Sequence, residues 1–308
     1  MWRVVDIAGE DRHLRLERQA LVVRNDGGEL GRIPLTDLNA VVVHAVRCTV
    51  TTDLAAALAA ESIPLVLCDS RHMPVSITWP ATGHFEQADR VETQALRTDR
   101  VRKRLWAQLV RAKVREQAAT LDASDGNGAH ALRQLAKQVR SGDPGNIEAR
   151  AAAIYWPRLF GADFRRDHAM PGINAALNYG YTILRSSVAR SVAATGLTPA
   201  LGLFHKNRRN PFRLVDDLME PFRPLVDRQV KAREKDWADA LGAEARASLA
   251  ALLTETVSTA DGDRPLYRVL AQTCHSLVEV LQDERQDLDL PTAIRLSRQS
   301  DLLAEDVE

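Results

Sequence analysis

Cysteine is scarce in this chain. Three residues in 308, Cys48, Cys68 and Cys274, lie far apart with no C-x-x-C pair, which excludes a cysteine zinc site and argues against a disulfide framework. No apolar run approaches the length of a membrane span, and the N-terminus carries no charged-then-apolar leader. These absences predict a soluble, cytoplasmic protein with no membrane partner. Net charge is lacking as well: 41 Lys and Arg balance 41 Asp and Glu, so the average speaks neither for nor against a polyanionic ligand.

The distribution of that charge is informative. Residues 88–120 carry nine Lys or Arg against four acids, whereas residues 283–308 carry eight acids against three Arg. Segregated charge steers a polyanion that the average would ignore. The length exceeds that usual for one domain, so two domains are expected.

Along the chain, residues 1–78 read as short strands with one helix. Trp2 to Ile7 and Ala20 to Arg24 alternate, Asp26-Gly27-Gly28 reads as a hairpin turn before Leu30 to Ile33, and Val41-Val42-Val43 and Ile63 to Cys68 read as buried strands. Thr51 or Thr52 caps a helix over Asp53 to Ala60. No catalytic constellation appears in this region, which reads as an assembly or packing module with sheet edges to offer a second copy. Pro80 and Gly83 punctuate a linker over 79–88, and the remainder, 89–308, reads as helical. The fold class expected is α+β, a small β-rich domain followed by a larger all-α catalytic domain.

Within the helical part, one helix is expected over Arg90 to Leu121. On it Arg97, Arg100, Arg104, Arg111 and Arg115 fall within about 60° of one another. That stripe suits a phosphate backbone, or else a solvated face paired with the acidic C-terminal segment. A long helix with a buried line is expected over Ala175–Ala194, Leu225–Ala240 with Arg228, Lys231, Arg233 and Lys235 offers another positive surface, and Ala243–Ser258 and Pro265–Gln282 read as packing helices before a loosely held acidic tail.

The chemistry gathers around Gly202 to Glu220. His205 ends an apolar run, Lys206, Arg208, Arg209 and Arg213 follow, and Asp217 and Glu220 then stand three apart, on one face if helical. Carboxylates attract a divalent cation and repel phosphate, while the basic residues do the reverse. The two sets belong together if a phosphodiester is held beside a bound metal. A salt-bridged surface loop is the plainer alternative. Glu148, in the first turn of a helix with Ala-rich surroundings, is either a capping acid or a third ligand beside His205 and Glu220. Pro221 predicts either a first helical turn near Asp217 or a kink that aims Glu220 inward.

Four segments, in order, carry a resemblance: Glu148 to Trp156, Gly172 to Tyr181, His205, and Asp217-Leu218-Met219-Glu220-Pro221-Phe222-Arg223-Pro224. Together they resemble the CRISPR-associated integrase of the spacer-acquisition machinery, in the compact form found beside single-effector, RNA-guided nucleases. The resemblance implies a metal-dependent integrase or endonuclease that inserts short foreign DNA into a repeat array. It implies Glu148, His205 and Glu220 as ligands of Mg2+ or Mn2+, with Asp217 an alternative to Glu220. It further implies a homodimer formed through the β domain, and a small ferredoxin-like partner protein. In such chemistry a 3′-hydroxyl attacks a phosphodiester and no protein nucleophile is required. A nuclease without strand transfer and a non-catalytic DNA-bridging scaffold are the rival readings.

Overall fold

The computed structural model describes residues 3–69, 74–124, 127–167, 169–237, 241–259, 262–291 and 295–296. Trp2, residues 238–240 of the expected Leu225–Ala240 helix, and the acidic tail from 297 onward lie outside the described residues.

The β-branched, alternating segments become strands β1 (Arg3–Ile7), β2 (His13–Glu17), β3 (Ala20–Asn25), β4 (Gly28–Pro34), β5 (Leu38–Val43), β6 (Thr49–Val50), β7 (Leu65–Cys68) and β8 (Pro74–Ile77), with helix α1 (Thr52–Ala60) between β6 and β7. They form two four-stranded sheets, β1-β5-β7-β8 and β4-β3-β2-β6. The β3–β4 turn falls on Asp26-Gly27, with Asn25 paired to Gly28.

Every residue of β5 is buried, and its side chains divide between two cores. Val41 and Val43 join Leu14, Leu21, Leu54 and Leu58 between the sheets, whereas Ala40 and Val42 join the core of the helices. A strand that is apolar on both faces cannot leave either face in water. The β-rich region is therefore welded to the helical one. Arg190, on a long buried helix, reinforces the seam by donating to the carbonyls of Leu38 and Asn39.

The helical part comprises α2 (Gln87–Leu96), α3 (Asp99–Ala123), α4 (Ala129–Gln138), α5 (Ile147–Phe160), α6 (Ile173–Ala194), α7 (Arg213–Met219), α8 (Arg223–Ala232), α9 (Ala243–Ala251) and α10 (Leu266–Leu281). Helix α6 is its spine, touching α7, α8, α9, α10 and β5. Its length suits an interior position, because apolar and small residues occupy nearly its whole circumference.

Three expectations need correction. The helix expected over Arg90 to Leu121 is broken: Arg97 is extended, and Thr98 caps a new helix by accepting from the Val101 N–H. Thr-Asp is a start signal that competes with continuation. The helix expected over Ala243–Ser258 ends at Ala251. After a 3-10 turn, β9 (Thr256–Thr259) pairs antiparallel with β10 (Gly262–Pro265) and β11 (Arg295–Leu296). Thr256, Val257 and Thr259 are β-branched, which favours the strand there. The helix begun at Leu225 in the sequence reading starts at Arg223 and stops at Ala232.

Candidate metal centre

Glu148 is placed by the loop before α5. Asp143 accepts hydrogen bonds from the Ile147 N–H (2.9 Å) and the Glu148 N–H (3.0 Å), satisfying two donors of the first helical turn. Capping is thus already done by Asp143, and the Glu148 carboxylate turns to α3, where Lys113 Nζ donates to its Oε1 at 2.7 Å.

Glu220 is placed by Pro221. Helix α7 has already begun at Arg213, so a first turn near Asp217 is not what forms. The path instead passes through a 3-10 turn, Glu220–Phe222, before α8. This is the kink alternative, and it leaves Glu220 with only 4% of its surface exposed. Lys113 Nζ lies 2.6 Å from Glu220 Oε2, and Arg223 Nε lies 3.0 Å from Oε1. Glu220 Oε2 is thus buried against the Lys113 ammonium. Burial pushes the Glu220 carboxyl up, yet the Arg223 and Lys113 cations outweigh it and hold the group at about 2. Burial likewise opposes the Lys113 ammonium, but the two glutamates outweigh it and raise its pKa. Glu220 and Lys113 are both held in their charged forms.

His205 is placed by Asp217, whose side chain is wholly buried. Asp217 Oδ2 accepts from the Leu203 N–H (2.6 Å) and Phe204 N–H (3.0 Å), while Oδ1 lies 2.6 Å from His205 Nδ1. Asp217, the alternative third ligand, therefore has both oxygens engaged in shaping the loop and orienting the histidine. With Nδ1–H given to a carboxylate, Nε2 is the nitrogen left to face a ligand. The Asp217 hydrogen bond, against the opposing effect of burial, raises the His205 pKa, and the charge of Glu220 adds to the shift. Gly202 permits this geometry: a Cβ there would lie 2.8 Å from both Asp217 Oδ2 and Arg213 Cβ. Gln94 on α2 holds the approach to the loop through the carbonyls of Thr198 (3.0 Å) and Leu201 (2.9 Å).

Two of the three expected ligands are brought together: Glu148 and Glu220 converge on the single cationic nitrogen of Lys113. His205, oriented by the buried Asp217, is linked to Glu220 only through the charge that raises its pKa. Oxygen donors with one imidazole are the donor set that suits Mg2+ or Mn2+. Among the described residues, no three metal-binding side chains are already closed around one point; Lys113 stands between the two glutamates.

The basic residues divide in two. Lys206, Arg208 and Arg209 are exposed on the loop after His205, and Arg213 is half-buried at the start of α7. That loop is anchored beneath by Arg185, which donates to Asp216 at 2.7 Å, and by Asn210, which donates to the same carboxylate at 2.6 Å. The arginines upstream do not form one open stripe. Arg97 is spent on Asp283 (2.9 Å) in the acidic segment, Arg111 donates to the Val139 carbonyl (3.1 Å), Arg104 is half-buried, and Arg100 is exposed. A cleft of about 370 Å³ runs beside His205, lined by Arg97, Arg102, Lys103, Lys206 and Arg213. Phe204, 43% exposed, stacks on the buried Trp106 at 4.2 Å in its wall.

Sequence reasoning missed Lys113 and the positioning role of Asp217. Lys113 had one available signal: Leu109 and Gln117, four residues before and after it on α3, are both buried, so it falls on an inward face.

The profile of the family described as CRISPR associated protein Cas1 matches residues 5–257. A CRISPR-associated endonuclease Cas1 from Neisseria meningitidis serogroup C (strain 8013) is 40% identical over 215 residues, covering 70% of each chain. Among solved structures, a casposase bound to an integration product aligns with a TM-score of 0.79 at 18% identity, over 93% of this chain and 92% of that one. A chain of a Cas6-RT-Cas1–Cas2 complex aligns with a TM-score of 0.72 at 20% identity, over 94% of this chain and 36% of that one. These two likenesses share the fold described above. A family match over most of the length, together with a relative of this identity and coverage, settles the membership: this chain belongs to the CRISPR-associated Cas1 family.

Proposed function

We propose that this protein is a divalent-metal-dependent DNA integrase and endonuclease that joins a DNA 3′-hydroxyl to a phosphodiester of a CRISPR repeat. The observation that carries the reading is the convergence of Glu148 and Glu220 on one cation, within 2.7 Å and 2.6 Å, beside a histidine locked by Asp217. Glu148, His205 and Glu220 would hold Mg2+ or Mn2+. When bound, such an ion lowers the pKa of an attacking hydroxyl and offsets charge on the phosphate. The chain's own residues supply the rest. Asp217 fixes the ring of His205, Arg223 keeps Glu220 charged, and Lys206 and Arg213 in the cleft wall, with Arg208 and Arg209 on the exposed loop, hold phosphates without needing the ion's ligands.

Two further features support the reading. No Ser, Cys or Lys is required as a nucleophile when the incoming DNA brings its own hydroxyl, and exchange of one phosphodiester for another is nearly isoenergetic, so the same site can run the reaction backwards on branched DNA. The partners are DNA, as incoming duplex and repeat, a second copy of this chain joined through the β-rich domain at residues 1–78, and a small ferredoxin-like protein. The other parts of the chain are assigned as a linker over 79–88 and a catalytic domain over 89–308. The Cas1–Cas2 complex among the structural neighbours supports a protein partner of that kind.

The test is a labelled 3′-hydroxyl duplex incubated with a supercoiled repeat plasmid and Mn2+ or Mg2+. Label covalently joined to plasmid is expected. Plasmid nicking without joined label would make the protein a nuclease only, and His205→Ala with full joining would remove the metal-centre reading.

A further inference from the structure

We propose that Lys113 is the resident cation of this site, and that a divalent ion enters by displacing its ammonium from Glu148 and Glu220. The proposal rests on the metal-centre reading above and adds to it a competitor built into the fold.

The geometry is that of a shared counter-ion. Lys113 Nζ is 2.7 Å from Glu148 Oε1 and 2.6 Å from Glu220 Oε2, and its side chain is only 14% exposed. Any other cation that uses both carboxylates must take the oxygens the ammonium now holds. Two glutamates facing each other at this depth need a positive charge between them at all times, since a buried unpaired carboxylate is strongly disfavoured.

The contact is also suited to exchange. Lys113 donates to Glu148 Oε1 at 2.7 Å and stands 2.6 Å from Glu220 Oε2. When the ammonium leaves Oε2, Arg223, 3.0 Å from Oε1, still keeps a cation beside Glu220. An ammonium on a flexible four-carbon stem can swing aside where the rigid fork of an arginine would chelate the pair. Lys113 is thus a positioning residue, keeping the two carboxylates together until the ion arrives.

The experiment is calorimetric titration of Mn2+ into the full chain without DNA, paired with thermal melts with and without saturating Mn2+. Lys113→Gln, Lys113→Arg and Glu148→Gln are compared with the parent. Lys113→Gln is expected to bind Mn2+ about tenfold more tightly, to melt lower without Mn2+, and to recover most of that loss with it. Lys113→Arg, whose fork is harder to dislodge, is expected to bind Mn2+ about tenfold more weakly. A folded Lys113→Gln that binds Mn2+ no more tightly than the parent overturns the proposal. Should the Gln variant not fold, Lys113→Arg still decides it: affinity equal to or above the parent's overturns the exchange. If Glu148→Gln leaves Mn2+ binding unchanged in the parent background, the metal-centre reading itself falls, an outcome distinct from failure of the exchange alone.

Discussion

Two groups of charge, one buried and one exposed, differ in almost every respect. Glu148, Glu220, Lys113 and Arg223 are mostly buried and already paired with one another; Lys206, Arg208 and Arg209 are exposed. Pairing in the interior fixes geometry, since each group leaves water only against an opposite charge. Exposed cations fix nothing but attract phosphates at a distance. If the proposed function holds, chemistry falls to the first group and DNA affinity to the second, and the two should separate under mutation.

The largest expected effect is on chemistry alone. His205→Ala should lower strand transfer by about a hundredfold or more while DNA affinity stays within about twofold. Label joined to plasmid, with filter binding in parallel, checks both. An equal loss of both would dissolve the division between the groups.

Next is the exposed group. Alanine at Lys206, Arg208 and Arg209 together should weaken DNA binding by about tenfold or more at moderate salt and flatten the dependence of log affinity on log salt by about 2 to 3. Transfer at saturating DNA should stay within a few-fold. A salt titration of binding is the measurement.

The pairing within the buried group predicts a pH dependence. The Glu220 carboxyl stands at about 2 in the fold against an ordinary 4.5. A depressed carboxyl contributes stability that is complete above its unfolded pKa and is lost as pH falls toward the folded one. Urea melts should show Glu220→Gln flattening the acid limb between those values, by about 3 kcal/mol. Gly202→Ala comes next, because its Cβ would press on Asp217 and Arg213; a loss of about 1 to 3 kcal/mol in unfolding free energy is expected, with reduced transfer. Smallest is Arg97→Ala. Its ion pair with the largely exposed Asp283 is worth about 1 kcal/mol or less, and DNA affinity should barely move.

Much of the frame was legible because it is periodic or punctuated. The apolar runs of β3 and β5 and the Asp26-Gly27 turn mark themselves, as does the long helix α6, although β3 buries four residues in succession where alternation was expected. The candidate ligands Glu148, His205 and Glu220 were chosen because they lie in segments that resemble a known family, and the pairing of Glu148 with Glu220 through Lys113 is what the structure adds. What was hidden depends on distance between elements. Its place between Leu109 and Gln117 turns Lys113 inward, but only the approach of α5 and of the Glu220 turn to α3 gives it two partners. Asp217 and Glu220 look equivalent three residues apart; Pro221 redirects one, and the backbone of residues 203–205 consumes the other. Arg97 read as part of a stripe until Thr98 ended the helix and Asp283, distant in sequence, claimed it.

The convergence of Glu148, His205 and Glu220 on one divalent ion is tested most directly by anomalous diffraction from crystals soaked in Mn2+. One strong peak bounded by oxygens of Glu148 and Glu220 and by Nε2 of His205 is expected. Manganese bound elsewhere, with Lys113 still seated between the two glutamates, would contradict it.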